Sequence, residues 1–429
     1  MKKAMALACL IFVVTLPMGC AKHEENTIRV ADFLTDPVLI QILNDTLHKI
    51  EKDNPGLKIK LETTPYNDYQ QKITTQMSAN NAPDILFVEV NNFVDLFLRD
   101  VLEDLEPYVT RDQMDLTGYY PDVVHRFSPK GHLFAVPQDT APSGLMYYNK
   151  KIFDEAGVPY PTGKWSWPEP FLSICQKLIK KDAAGKQVRW AYTEANPINI
   201  ENFLLSAGGN WVDDTDHPTR FAVDSPEGMV AAQFRYDMIN KYHVAPSISE
   251  MQSFNYGMGV EKMFMTGQIA MMTSGVWYTP QFLKDKDLDW DVVEFPRGPS
   301  GKQGWGSGGS GYSICKSSKN KDLAWKVIRA MTSEESLTAL AATGMIQPAL
   351  KKLAESDVFL KSPGAAHKSI LLKMPEHSHY QPFMSNWGEI YYGTFNPAMD
   401  PVWLGNKTPA VVVPEVSKAI NQKFFAGQK

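Results

Sequence analysis

The feature that most restricts the fold is an alternation of strand and helix patterns near the N-terminus. Ile28-Arg29-Val30-Ala31 reads as a strand, with large apolar side chains at every second place. Asp36-Pro37 then opens a helix, an acid before a proline at the first helical position. Leu39, Ile42, Leu43, Leu47 and Ile50 follow at helical spacing, and Pro55-Gly56 stops the run. Segment 57–63 alternates Leu57, Ile59 and Leu61 as a second strand, and Tyr69, Ile73 and Met77 stripe a second helix. Asn81-Ala82-Pro83-Asp84 breaks it, and Ile85-Leu86-Phe87-Val88 is a short buried strand. Strand, helix, strand, helix, strand in so short a stretch predicts an α/β fold with a parallel sheet and right-handed crossovers.

Further along, segments 133–136 and 145–148 read as strands bracketing Pro137-Gln138-Asp139-Thr140-Ala141-Pro142. Two prolines so close make a stiff extended link, suited to a crossing between domains. Phe171, Ile174, Cys175, Leu178 and Ile179 form a helical stripe, and Ser225-Pro226 opens another helix. Val260, Met263 and Phe264 end at Gly267, a left-handed cap, before a buried strand at 269–272. From Pro296 to Gly311 there are seven Gly and two Pro, the sharpest composition shift in the chain, which reads as a flexible link. A strand at 312–315 and helices at 322–331 and 333–342 follow it. The 429 residues suit two or three domains.

The first twenty residues read as an address. Lys2 and Lys3 precede an apolar run to Leu16 and a small-residue junction, Pro17-Met18-Gly19-Cys20. The apolar run is shorter than the roughly 20 residues that a spanning helix needs. Residues 21–27 then form a polar tether. Losing Lys2 and Lys3, with no acids, from 43 basic and 48 acidic side chains moves the formal charge from −5 to −7. No basic excess is left as a footprint for nucleic acid. Cys175 and Cys315 are either two small core residues or a single bridge, not a disulfide framework.

Motifs for catalysis are missing. The Gly-rich run has G-x-G-x-x-G spacing at Gly304, Gly306 and Gly309, and again at Gly306, Gly308 and Gly311. It feeds a strand, whereas a dinucleotide site needs a helix N-terminus there. No nucleotide or other cofactor is expected. His377-Ser378-His379 lacks a third ligand for a metal and reads as a surface loop. Ser310 has Tyr312 where a nucleophile elbow needs Gly, and no two carboxylates can be paired across a scissile bond from sequence.

Polar and aromatic groups do recur just after strand ends, where α/β sheets bind ligands. They are Asp32-Phe33, Glu89-Val90-Asn91-Asn92, Gln138-Asp139, Glu194 to Asn196, and Ser274-Gly275-Val276-Trp277-Tyr278. Carboxylates and amides suit hydroxyls, and indole faces suit the C–H face of a sugar ring. Each one alone is more often a helix cap or a core aromatic; five after five strands are harder to dismiss. Backbone N–H groups at Gly308 and Gly309, free of side chains, can approach a ligand as well.

In chain order, several pieces resemble the extracellular solute-binding proteins of ABC importers, in the sugar-binding group similar to maltodextrin-binding protein. These are Pro55-Gly56-Leu57-Lys58-Ile59, Asn81-Ala82-Pro83-Asp84-Ile85, and Leu145-Met146-Tyr147-Tyr148-Asn149-Lys150 with Phe153 and Ala156-Gly157. Trp165-Ser166-Trp167 follows, then Phe264-Met265-Thr266-Gly267-Gln268-Ile269-Ala270-Met271-Met272 with Gly275 and Trp277, then segment 317–325 with Thr332-Ser333-Glu334. The resemblance implies a two-lobed, type II-like periplasmic-binding-protein fold whose ligand cleft lies between the lobes. Its first lobe would hold 28–137 plus 309–343 and its second 140–307 plus 345–429, with hinge crossings near 137–141, 306–309 and 343–348.

Carried over by position, the resemblance makes Glu89, Asn91 and Asn92 first-lobe contacts, Asp139 a hinge contact and Trp277 a platform in the second lobe. Asp32 and Asn196 join them as candidates, with Trp387, Tyr391 and Tyr392 from a C-terminal region that matches the family poorly. Val88 stands where the family often offers a first-lobe aromatic. Cys20 resembles the lipidated cysteine of bacterial lipoproteins, although Pro17 replaces the usual Leu; simple cleavage of the leader is the alternative. The chain is then expected outside the cytoplasm as a lipid-tethered monomer, catching a sugar and passing it to a permease without doing chemistry. The alternatives are the same fold with a polyamine, polyol phosphate or peptide, or a surface-anchored carbohydrate hydrolase.

Overall fold

A computed structural model describes residues 26–195, 199–253 and 259–426. The predicted alternation is present. Strands β1 (Thr27–Asp32), β2 (Lys58–Thr63) and β3 (Ile85–Glu89) are joined by helices α1 (Pro37–Asp53) and α2 (Tyr66–Ser78). β1 lies parallel to both β2 and β3. The Asp36 carboxylate accepts from Val38 N at 2.9 Å, relieving one of the orphan donors at the start of α1. Leu39, Leu43, Leu47 and Ile50 are the buried stripe of that helix.

The first sheet is completed by two later strands and is mixed. β12 (Ser310–Ile314) enters antiparallel to β3, and the two-residue β4 (Val136–Pro137) pairs with β12 in turn. The expected strand at 133–136 shrinks to β4 because Phe134 N turns back to Phe127 O. The second sheet runs in the order β10 (Trp290–Glu294), β6 (Leu145–Asn149), β9 (Ile269–Ser274), β8 (Gln187–Glu194), β7 (Lys180–Lys181). Only β8 and β9 are parallel within it. Each sheet is packed into its own hydrophobic core, one around Phe87 and Trp325, the other around Tyr147 and Phe203. This is the two-lobed arrangement expected from sequence.

Between the sheets lies a small third one, in which β11 (Trp305–Gly308) pairs with β5 (Ala141–Pro142) and with β13 (Ser378–His379). Two sequence expectations change here. The Gly-rich run is not a slack link throughout, since Trp305 and Gly306 pair with β13 and Ser307 and Gly308 with β5. A break follows at Gly309, whose φ of +147° disfavours any side chain. Nor is His377-Ser378-His379 a surface loop, because Ser378 and His379 pair with Trp305 and Gly306.

The Pro-rich and Gly-rich segments therefore pass from lobe to lobe side by side. A third segment joins them, with Thr140 N donating to Gln347 O and Ala349 N to Gln138 O. Ala349 and Ala354 are buried in the first lobe's core and Phe359 in the second's. Residues just after 345, expected in the second lobe, thus still pack on the first. Cys175 and Cys315 are free thiols, one in each core, which removes the option of a bridge. Among the described residues no helix is long and apolar enough to cross a membrane.

Candidate ligand cleft

The C-terminal ends of β1 and β3, the three crossing segments and the end of β9 surround a cavity of about 670 Å³. Both lobes contribute to its wall. From the first lobe come Phe33, Tyr66, Glu89 and Asn91; from the second come Glu201, Trp277 and Tyr278. Asp139, Gly308, Gly309 and Gln347 line it from the crossings.

Glu89 is placed by the β3-to-helix turn. It is the N-cap of the helix Val90–Leu98, where its Oε2 accepts from Asn91 N at 3.1 Å and its Oε1 from Asn91 Nδ2 at 2.8 Å. Burial, reinforced by Asp139, pushes its carboxyl up to about 8, against the pull of Asn91 N and the Arg126 guanidinium. Asp139 sits between β4 and β5, where its Oδ1 accepts from Ser310 N at 2.9 Å and ties two crossings together. Burial raises it to about 7 despite that bond. Glu201 stands at the start of the helix Glu201–Ala207, its Oε1 accepting from Trp211 Nε1 at 3.0 Å; burial raises its carboxyl too.

The glycines of β11 make room for these acids. A Cβ on Gly306 would collide with Glu201 Oε2, and one on Gly308 would lie 3.2 Å from Glu89 Oε1. Aromatic faces complete the wall. Trp277 keeps 48% of its surface exposed and Tyr66 51%, unusual for such large rings. Tyr66 is braced edge-on by Phe33 at 5.3 Å. The Glu89 carboxylate, then burial and Tyr392, hold its phenol well above the ordinary range.

Of the residues singled out from sequence, Glu89, Asn91, Asp139, Trp277, Gly308 and Gly309 line this cleft. Asp32 does not. It is fully buried behind the wall, where Oδ2 accepts from Tyr312 OH at 2.9 Å and Oδ1 from Leu34 N at 2.7 Å. It fastens β1 to β12, because a buried carboxylate must be met by donors. Asn92 is half-buried, beside Tyr66 but off the wall. Trp387 is 5% exposed, stacked on Tyr391 and edge-on to Trp211 in the second lobe's core, so its apolar ring went to packing. Asn196 and Cys20 lie outside the described residues. The lobe closest to Val88 finds its aromatic elsewhere, in Phe33 and Tyr66, while Val88 itself is buried.

Tyr66, Glu201, Gln347, His379 and Gln381 escaped the sequence reading. Tyr66 lies three residues past the end of β2, after Pro65, so the strand-end rule applied to β2 finds it. His379 and Gln381 carried no such signal. They arrive with a segment on which Arg126, buried in the first lobe, closes by donating to Gln381 O at 2.6 Å. Its guanidinium also lies over the rings of Tyr380 and Phe383.

The chain is thus a two-lobed α/β protein whose lobes share one cleft. The chain belongs to the bacterial extracellular solute-binding protein family, whose model matches residues 36–337. It is 23% identical over 372 residues to a Brucella abortus binding protein, covering 86% of each chain. It is also 23% identical over 293 residues to the arabinooligosaccharide-binding protein of Halalkalibacterium halodurans, covering 66% of this chain and 63% of that one. Among solved structures, an ABC substrate-binding protein of Listeria monocytogenes in complex with cycloalternan superposes with a TM-score of 0.80 at 24% identity, covering 92% of this chain and 98% of that one.

Proposed function

We propose that the chain is the extracytoplasmic sugar-binding component of an ABC importer, taking a sugar or oligosaccharide between its lobes and presenting it to the permease without chemical change. The observation that carries this reading is the cleft itself. Trp277 and Tyr66 offer ring faces from opposite lobes, with carboxylates and amides set between them. Aromatic faces take the apolar side of a sugar ring while planar acceptors take its hydroxyls. The oligosaccharide named for the Halalkalibacterium relative supports the same class of ligand.

Lobe closure follows from the paired crossings. A ligand that touches both walls only when they approach stabilises the closed state by its differential affinity. The crossings are taken at 137–141, 306–309 and near 343–348, the last running beside the first, where Thr140 N donates to Gln347 O. Cys20 would tether the protein, as a monomer, to the outer face of the membrane. Titration with a panel of mono- and oligosaccharides tests the reading, followed by Trp fluorescence and melting. A ligand at 100 times its Kd adds about 2.7 kcal/mol of stability. Silence across every carbohydrate would remove sugar from the assignment.

A further inference from the structure

The wall of the cleft is unbalanced in charge and in hydrogen-bonding sense. Glu89, Asp139 and Glu201 face one space from three separate elements, and no Lys or Arg among the described residues lines it. A fourth acid, Asp36, already has Lys284 at 3.5 Å. Arg126 lies behind Glu89, but it is engaged with Gln381 O and two rings and does not reach the wall. His379, a titratable nitrogen on the wall, is held toward its neutral form by burial and by His377.

Three donors of the wall are turned inward. Ser143 Oγ donates to Gly306 O at 2.7 Å, Ser307 Oγ to Gly308 O at 3.1 Å, and Asn91 Nδ2 to Glu89 Oε1. Acceptors are supplied by the carboxyls of Glu89, Asp139 and Glu201. A hydroxyl both donates and accepts, whereas a protonated amine only donates. Three carboxyls with no facing cation among the described residues suit the second.

Geometry fixes where the amine would sit. Gly306 and Gly308 are two apart on β11, so their missing side chains belong to one face, about 7 Å apart along the strand. Glu201 of the second lobe and Glu89 of the first occupy those two vacated places. A nitrogen midway between places about 7 Å apart would lie about 3.5 Å from each, and a small approach of the lobes would bring it within charge-assisted hydrogen-bond reach of both. Trp277 and Tyr66 add ring faces to which a cation is drawn.

We propose that the cleft selects a basic sugar, one whose ring carries a protonated amine held between Glu89 and Glu201. This rests on the sugar reading and narrows it. The binding of that cation would also draw the two lobes together, because each supplies one of the carboxylates.

The test is calorimetric titration with matched trios of disaccharides in several linkages. Each trio has a free amine, its N-acetyl derivative and the parent hydroxyl, with spermidine as a linear polyamine. The expected result is an amine preference of about tenfold or more in at least one trio, weakening with salt. That preference should vanish in the Glu89→Gln/Glu201→Gln double variant, while its circular dichroism and melting stay native-like. Neutral sugars binding as tightly as the amine in every trio would overturn the inference and leave the sugar reading standing. Spermidine binding alone would keep the demand for a cation and overturn the sugar. No response to any amine would overturn the inference outright.

Discussion

Asp36 and Lys284 meet across the mouth of the cleft. The Nζ of Lys284, in the second lobe, lies 3.5 Å from Asp36 Oδ2, while Asp36 Oδ1 caps α1 of the first lobe. One carboxylate thus serves a helix terminus and an inter-lobe ion pair. His125 and Asp216 make a second contact of this kind at 3.4 Å.

Replacing Lys284 by Ala should loosen closure without weakening either lobe. The lysine is largely exposed, so the pair is worth less than about 1 kcal/mol, or up to about fivefold in affinity. The melting temperature of the free protein should not move, and high salt should erase the affinity difference. Asp36→Ala should cost a further ~1 kcal/mol of stability through the lost cap. Melting curves and ligand titrations separate the two. A Lys284→Ala protein that melts early but binds normally would show the pair to be structural.

Two tryptophans that look alike in sequence should behave oppositely. Trp277→Ala removes a half-exposed ring from the cleft and should weaken binding at little cost in stability. Trp387→Ala empties a buried site packed by Trp211 and Tyr391 and should cost about 3–5 kcal/mol in stability. Gly275→Ala tests the same platform from below, since its Cβ would run into the Trp277 ring and displace it. Denaturant unfolding paired with titration reads both effects.

On β11, Gly306→Ala should harm binding far more than Gly308→Ala. The first change drives a methyl into Glu201 Oε2 and to 2.9 Å from Ser143 Oγ, whereas the second meets Glu89 Oε1 only at 3.2 Å. Equal losses in the two variants would mean that Glu201 does not hold its place for the ligand.

The fold was more legible than the cleft, for a physical reason. Periodicity records what each element buries, so Leu39, Leu43, Leu47 and Ile50 announced α1, and the parallel order of β1, β2 and β3 followed. Strand ends located Glu89, Asp139 and Trp277 because the sheet aims them at one cleft. The same rule misplaced Asp32, since a strand end cannot tell an acid facing solvent from one bonded to Tyr312 beneath the wall. Composition misread the Gly-rich run as slack. Its glycines instead admit two carboxylates beside a paired strand, and that depends on residues 89 and 201, far away in the chain. His379 and Gln381 were invisible because only tertiary pairing with Trp305 and Gly306, and the Arg126 clamp, brings their segment to the cleft.

The buried acids predict how the free protein responds to pH. Burial raises Glu89 to about 8, Asp139 to about 7 and Glu194 to about 8, above the carboxyl range of an unfolded chain. In that window the folded state holds protons that the unfolded state has released, so stability falls as pH rises. Their contribution is complete below the unfolded pKa and is lost as pH passes through the folded values. Glu62, whose carboxylate Arg29 draws below its ordinary range, acts in the opposite sense and only at acid pH. The free protein should therefore melt higher near about pH 5.5 than near about pH 8.5. Glu89 faces Asp139 and Arg126, and Asp139 faces Asp32, so the Glu89→Gln/Asp139→Asn protein removes an interacting pair together. Its melting temperature should fall less steeply over the same range, with Glu194 keeping part of the slope. A steeper fall in the double variant, or a wild-type melting temperature that rises toward alkaline pH, would contradict the account of a cleft short of positive charge.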